Sequence, residues 1–331
     1  MKIAAPAKLI LSGEYSAVFG CPAIACAIDR YVTITTNKTA SEDIQFDFPD
    51  LNILETASFD SLKELKTRLL ERYALFREKK ISAHEILNSP SEFVKFAFIR
   101  GLDALKATPK GTKFTYHSDI PIGCGLGSSA AIAVGTLLAT SHLYGKSLSD
   151  ETFLTLAQEV ENLQHGYSSG IDIHISYHGG SIEYQSMKIK KLTLPNLSFH
   201  LIHTGKPKST TGECVAQVKE HFQNTNIWED FSDVTHHFLN ALLAKQSTIE
   251  MMRLNSRLLE TIGVVPEKVK AFIRAVEKRG GAAKISGAGS IRGDAAGMLI
   301  VSDNIDIYDL CQEFGYSFFD LKGAAHGARI L

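Results

Sequence analysis

Residues 121–131 read PIGCGLGSSAA: a proline, glycines at alternate positions 123, 125 and 127, then two serines and two alanines. The alternating run KFTYHSDI (113–120) reads as a strand leading into it, and SAAIAVGTLLATSHLYG, ending at Gly145, follows as a buried helix. A strand, a glycine-rich turn and a helix start place backbone N–H groups that lack intrahelical partners beside residues that admit a ligand closely. Together with the helix dipole, that arrangement suits an anion such as phosphate. Two readings stay open on this segment alone. It is a phosphate cradle in which Ser128 or Ser129 turns its hydroxyl to a phosphate or to Mg²⁺, or a flexible turn in which one of those serines caps the helix. Spacing excludes two familiar motifs: GxxxxGK[ST] needs a lysine that nothing after Gly127 supplies, and GxGxxG meets Ser128 or Ala130 at its sixth position.

Upstream, IAAPAKLIL, AIACAI (23–28), YVTITTN (31–37) and IQFDF (44–48) predict short strands, and three- and four-residue apolar spacing predicts helices over 62–78 and 92–106. Downstream, DETFLTLAQEVENLQHG (150–166) is amphipathic, with acidic residues in its first turn and Gly166 as a stop. Strands GSIEYQS and SFHLIHT follow, then a helix-rich stretch from about 213 to 279. The tail offers AAKISG, AGMLIVS, YSFFDL and GARIL as strands, with a helix near 307–314. Strands gather at both ends of the chain and helices in the middle of each half, which predicts an α+β fold. There is no internal repeat, and a boundary near 180 divides the chain into domains 1–180 and 181–331.

At 331 residues, with 44% hydrophobic and 21% charged residues, the composition is that of a globular protein of one large or two modest domains. Lys+Arg 35 against Asp+Glu 36 leaves no electrostatic footprint for nucleic acid. Cys21, Cys26, Cys124, Cys214 and Cys311 are scattered and lack CxxC spacing, which favours reduced thiols over a disulfide framework. At the N-terminus Pro6 and Lys8 break the apolar run that a signal peptide needs. No segment reaches the ~18 apolar residues of a membrane span. A cytoplasmic protein, with neither nucleic acid nor membrane as partner, is the expectation.

PIGCGLGSSAA resembles the nucleotide-binding motif of the GHMP small-molecule kinases. APAKLILSGEY (Ala5–Tyr15) resembles that family's N-terminal motif, and AAKISGAGSIRGDAAG (Ala282–Gly297) its glycine-rich C-terminal motif, so the three span nearly the whole chain in order. ENLQHGYSSGIDIHISYHGGSIEY (Glu161–Tyr184) is similar to the mevalonate kinase branch. The resemblance implies a two-domain fold, with an N-terminal domain like that of a small-subunit ribosomal protein and a C-terminal ferredoxin-like α/β sandwich. It also implies ATP and Mg²⁺ as cofactors and mevalonate as the acceptor; a homodimer is one assembly compatible with it. Carried over motif by motif, Asp172 would be the catalytic base and Lys8 its partner. Ser129 and Glu161 would hold Mg²⁺. Pro121, Gly123, Gly125, Leu126, Gly127, Ser128 and Ser129, with Gly287 and Gly289, would bind ATP; Glu14, Tyr15 and Thr210 (in KPKSTTGECV) would lie on the substrate side.

These residue types suit the chemistry. Phosphoryl transfer is mostly positioning and charge neutralisation, an aspartate can accept a hydroxyl proton, and Mg²⁺ takes one or two protein oxygens plus phosphate and water. Each residue also has an ordinary reading: Asp172 or Thr210 as a helix cap, Lys8 snorkelling from a strand, Glu161 solvated on an amphipathic helix. Three departures stand out. Tyr15 occupies a position where mevalonate kinases commonly have His, and it points to phosphomevalonate kinase as an alternative. Ser168 replaces an expected proline. Arg292 interrupts the C-terminal glycines, either to contact a phosphate or to bridge to a carboxylate such as Asp294. A catalytically silent ligand sensor is the alternative of another class, and it would need no Lys8, Glu161 and Asp172 together. His174 and His178 share a helix face with His165 nearby in sequence, but no HExxH accompanies them as a zinc site would ask. His236 and His237, side by side, point to different faces and are expected to be solvated.

Overall fold

A computed structural model describes all residues of the chain except 122, 187, 195–198 and 321 and the side chain of Asp320. The first sheet starts with β1 (Lys2–Ser12) and β2 (Ala23–Lys38), followed by β3 (Ile44–Phe48) and β4 (Ile53–Ala57). Helices α1 (Phe59–Arg77) and α2 (Pro90–Leu105) precede β5 (Thr112–Ser118), and α3 (Ser128–Leu143), α4 (Asp150–His165) and α5 (Ile171–His178) follow it. β6 (Ser181–Gln185) and β7 (Lys188–Leu192) come next. The strand order is β12-β1-β2-β5-β3-β4, with β6 pairing β2 and carrying β7, where β12 (Arg329–Ile330) is the last strand of the chain. The fold is mixed α+β, as the clustering of strands predicts.

AIACAI and YVTITTN are not two strands. They form the single β2, whose register against β1 steps from Pro6↔Tyr31 to Ala7↔Ile28. Asp29 and Arg30 are the residues left over opposite that step, next to the one β1 residue with no N–H to give the ladder. Sheet membership also crosses position 180: β6 joins β2, and the chain returns at its end to pair with β1. The sheet's helical face is closed by Phe98 of α2 on Phe46 and Phe114, with ring centroids 5.3–6.1 Å apart.

The second sheet is antiparallel, in the order β11-β8-β10-β9, from β8 (Phe199–His203), β9 (Ala283–Ser286), β10 (Met298–Ser302) and β11 (Ser317–Asp320). Ser198 and Leu321, at the ends of two expected strands, lie outside the described residues. The helix-rich stretch resolves into α6 (Thr211–Phe222), α7 (Ile227–Leu243), α8 (Ile249–Thr261) and α9 (Glu267–Lys278), and α10 (Tyr308–Phe314) follows β10. Every third or fourth residue of α9 (Val269, Phe272, Ile273, Val276) is buried in this half's core.

The two sheets meet where β1 ends. Ile10 N–H donates to Ser286 Oγ at 3.1 Å and that hydroxyl donates back to Ile10 O at 3.1 Å, while Ser12 and Thr235 hydroxyls lie 2.8 Å apart. Among the described residues, no helix is long and apolar enough to cross a membrane.

Candidate active site

The alternation of residues 123–127 has a structural cause. Cys124 and Leu126 are buried anchors while Gly123 and Gly125 face outward, and Gly123, Gly125 and Gly127 take φ of 73, 81 and 70°. A side chain is strained at each. Leu126 O accepts from the N–H of Lys8 at 2.9 Å, which hangs the loop on β1, and Cys124 Sγ lies 3.0 Å from His203 Nε2. Ile122 lies outside the described residues, and Pro121 enters the loop half-buried. The cap of α3 is Gly127, without a side-chain cap bond, so neither serine caps the helix. Ser128 and Ser129 lie in its first turn instead, where N–H groups are free of intrahelical acceptors.

Lys8 Nζ and Asp172 Oδ1 are 3.1 Å apart, the lysine side chain 7% exposed and the aspartate 29%. Asp172 does not cap α5 either. Gly170, in the left-handed region, is the cap, and Asp172 is in the first turn with its carboxylate aimed at β1. The pair sits against the loop: a Cβ on Gly127 would lie 2.8 Å from Lys8 Cγ and 3.4 Å from Asp172 Oδ2. Gly127→Ala should therefore displace the lysine and lower kcat more than it raises the KM for ATP, as steady-state kinetics would show; unchanged kcat would mean the contact is idle.

Ser129 Oγ donates to Glu161 Oε1 at 2.7 Å and lies 3.2 Å from His165 Nε2. Glu161, on α4, is 2% exposed, and its Oε2 is buried with no partner. A buried carboxylate oxygen left this way is costly unless a cation completes it. His165, one turn on, is 3.2 Å from Glu161 Oε1. Burial alone would push this imidazole's pKa down, but the hydrogen bond and charge of Glu161, with Asp172, carry it above the ordinary value. The sequence reading set His165 beside a zinc alternative only; its signal was the i,i+4 spacing from Glu161.

The glycine-rich C-terminal motif packs closely on the glycines of the 121–131 loop. A Cβ on Gly125 would be 3.3 Å from Ser286 O, and one on Gly287 3.4 Å from Gly125 Cα. Gly289 is turned the other way, against Val264 O. Glu14 is fully buried and ion-paired with Lys284 of β9, itself 0% exposed. Lys284 escaped the sequence reading, although a lone lysine inside AAKISG was the clue. The Tyr15 hydroxyl donates to Ala288 O within the third motif and its ring is buried. Thr210 caps α6, accepting from Glu213 N–H at 3.2 Å, and Arg292 bridges to Glu213, not to Asp294. The loop, Lys8, Asp172, Ser129, Glu161 and Gly287 are thus brought together. Glu14 and Tyr15 are committed to the seam between the two sheets, and Thr210 to its helix.

The rings of His174 and His178 stack 5.8 Å apart on α5. Burial, then the charge of His178, pushes His174 down to about 4. Among the described residues, no three His, Cys, Asp or Glu side chains form a group that could hold a metal ion. His236 and His237 are exposed.

The model of the GHMP kinases N terminal domain matches residues 92–180. The mevalonate kinase of Pyrococcus furiosus is 33% identical over 299 residues, which cover 86% of this chain and 85% of that protein. The mevalonate kinase of Methanocaldococcus jannaschii is 30% identical over 301 residues, covering 87% and 89%. A crystal structure of the Methanococcus jannaschii mevalonate kinase superposes with a TM-score of 0.80 at 27% identity, over 98% of each chain.

Proposed function

The chain belongs to the GHMP kinase family, and from that premise we propose that it transfers the γ-phosphoryl group of ATP to the primary hydroxyl of mevalonate, with Asp172 as base. It is a mevalonate kinase-like phosphotransferase with an alcohol as acceptor. The observation that carries the residue assignment is the Lys8–Asp172 pair lodged against Gly127 of the phosphate loop.

Asp172 takes the proton of the acceptor hydroxyl as its oxygen bonds to the γ-phosphorus and the bond to the leaving ADP oxygen breaks. Lys8, nearly buried beside the aspartate, offsets the charge that develops on the acceptor oxygen and the transferred group. The outward face of residues 123–129 offers the phosphates backbone N–H groups at the start of α3. Ser129 and Glu161 would hold Mg²⁺, and the unpartnered Glu161 Oε2 fits a cation there. When bound, Mg²⁺ supplies charge neutralisation on the phosphate oxygens. Ser129→Ala should raise the Mg²⁺ concentration for half-maximal activity by ~10-fold or more. A Mg²⁺ titration identical to wild type would remove Ser129 from the metal site.

Five free cysteines suit a reducing compartment, so a cytoplasmic location belongs to this reading. A coupled assay with mevalonate, phosphomevalonate, homoserine and galactose side by side tests the acceptor. Mevalonate should be turned over with the highest kcat/KM. A preference for phosphomevalonate would overturn the substrate, and no turnover of any would favour the sensor. The burial of Tyr15 bears on this choice: the residue that pointed to phosphomevalonate kinase spends its hydroxyl on Ala288.

A further inference from the structure

Lys8 and Asp172 lie on different elements, β1 and α5, and a third segment touches both. Residues 322–331 leave the second sheet after β11 and run back across the first. Lys322 O accepts from Asp29 N–H at 2.9 Å, Ala324 N–H donates to Ala27 O at 2.9 Å, and Ala324 O accepts from Gly180 N–H at 2.9 Å. Ala328 N–H then donates to Ser176 O, inside α5, at 2.8 Å. The chain finishes as β12 on the free edge of β1, pairing Arg329 with Ala4 and Ile330 with Ile3, and Leu331 N–H donates to Lys2 O at 2.9 Å.

Where this strap crosses the end of α5, only backbone fits. A Cβ on Gly327 would lie 2.0 Å from Tyr177 O and 2.6 Å from His178 C, and one on Gly179 would lie 2.3 Å from Gly327 N. All these atoms are main chain, so no rotamer change relieves the clash. An eight-residue helix has little stability of its own, and its direction is set by what holds it. Asp172 sits at the opposite end from this clamp, so a small tilt of α5 about its C-terminus moves the carboxylate away from Lys8.

We propose that the C-terminal strap is a positioning device for the transfer step, with Gly327 and Ala328 as positioning residues that hold α5 against β1 and thereby set the Lys8–Asp172 geometry. The inference rests on the reading of Asp172 as base. The contacts of both residues are with the backbone of α5 and its C-terminal end, not with the Lys8–Asp172 pair itself. Both substrates should accordingly bind as before while the chemical step slows.

The test measures kcat and both KM values for Gly327→Ala, with Asp172→Asn as reference and the folded fraction checked by circular dichroism. Gly327→Ala should lower kcat by the ~10²-fold that an ångström-scale misplacement costs, with both KM values within about threefold. In a Lys8→Met background, where the pair is already broken, the same substitution should cost less than about threefold more, since the two act on one interaction. Should Gly327→Ala not fold, Ala328→Pro, which deletes the donor to Ser176, carries the test with the same expected split. A folded variant with wild-type kcat, a loss confined to KM, or full additivity with Lys8→Met would each overturn the strap's role. If Asp172→Asn itself stays active, it is the assignment of the base that has failed.

Discussion

Asp172→Asn should leave ATP binding close to wild type and lower kcat by about 10²–10⁴-fold, the range that general-base catalysis contributes. Asparagine keeps the shape of the side chain and its place in the first turn of α5, so the packing there has no reason to change. It loses the charge that faces Lys8 across 3.1 Å and, with it, the basicity needed to accept a proton. The lysine, 7% exposed, is left without its carboxylate, so calorimetry with ATP and a melting curve should accompany the kinetics. Near-normal turnover in a folded, ATP-binding variant would take the base role from Asp172. A loss of ATP affinity equal to the loss of kcat would point instead to a collapsed loop, since Gly127 lies against the same pair.

The second large effect is on stability. Lys284→Met should destabilise the protein by about 3–5 kcal/mol, because it leaves the Glu14 carboxylate buried without its counter-charge. Burial pushes Glu14 up from its ordinary 4.5 and Lys284 down from its ordinary 10.5, and the attraction between the two opposes both shifts. Without the lysine the upward push of burial on Glu14 is opposed only by the smaller effects of a backbone hydrogen bond and the charge of Lys8. A carboxyl raised in the folded state holds a proton that the unfolded chain releases, so its stabilisation is complete below the unfolded value and is lost as pH rises through the folded one. The penalty of Lys284→Met should therefore be smaller near pH 5 than near pH 8, as denaturant melts at the two values would show. The double variant Glu14→Gln/Lys284→Met should recover much of the loss, since it removes both charges together. A single variant as stable as wild type at pH 8 would mean that the pair is solvated in solution.

The α+β class was legible because it rests on local periodicity, and the helices over 62–78 and 92–106 fall on α1 and α2 to within three residues. The break between AIACAI and YVTITTN misled, because Asp29 and Arg30 look like a turn and are instead the step where β2 shifts register opposite Pro6. KIKKL (188–192) carries no strand signal of its own, because three of its five residues are lysines and its strand is sustained by pairing with β6. Caps misled in the same way. Ser128, Ser129 and Asp172 are all residue types that favour caps, yet glycines at 127 and 170 take the caps, leaving Ser129 to meet Glu161 and Asp172 to meet Lys8.

What the sequence determined by itself was the inventory: a strand–glycine–helix turn of a kind that suits an anion, a lysine in β1, a carboxylate on each of two helices, and the order that one kinase family uses. Those are properties of residue type and spacing, and they survive without coordinates. Partnership was decided only by tertiary structure. Glu14 meets Lys284 across 270 residues, Ile10 meets Ser286 across 276, and the last residues of the chain come to rest on the strand that began it. A buried charge or backbone group must find its complement, but which distant residue supplies it depends on how the two sheets pack, and no local pattern records that.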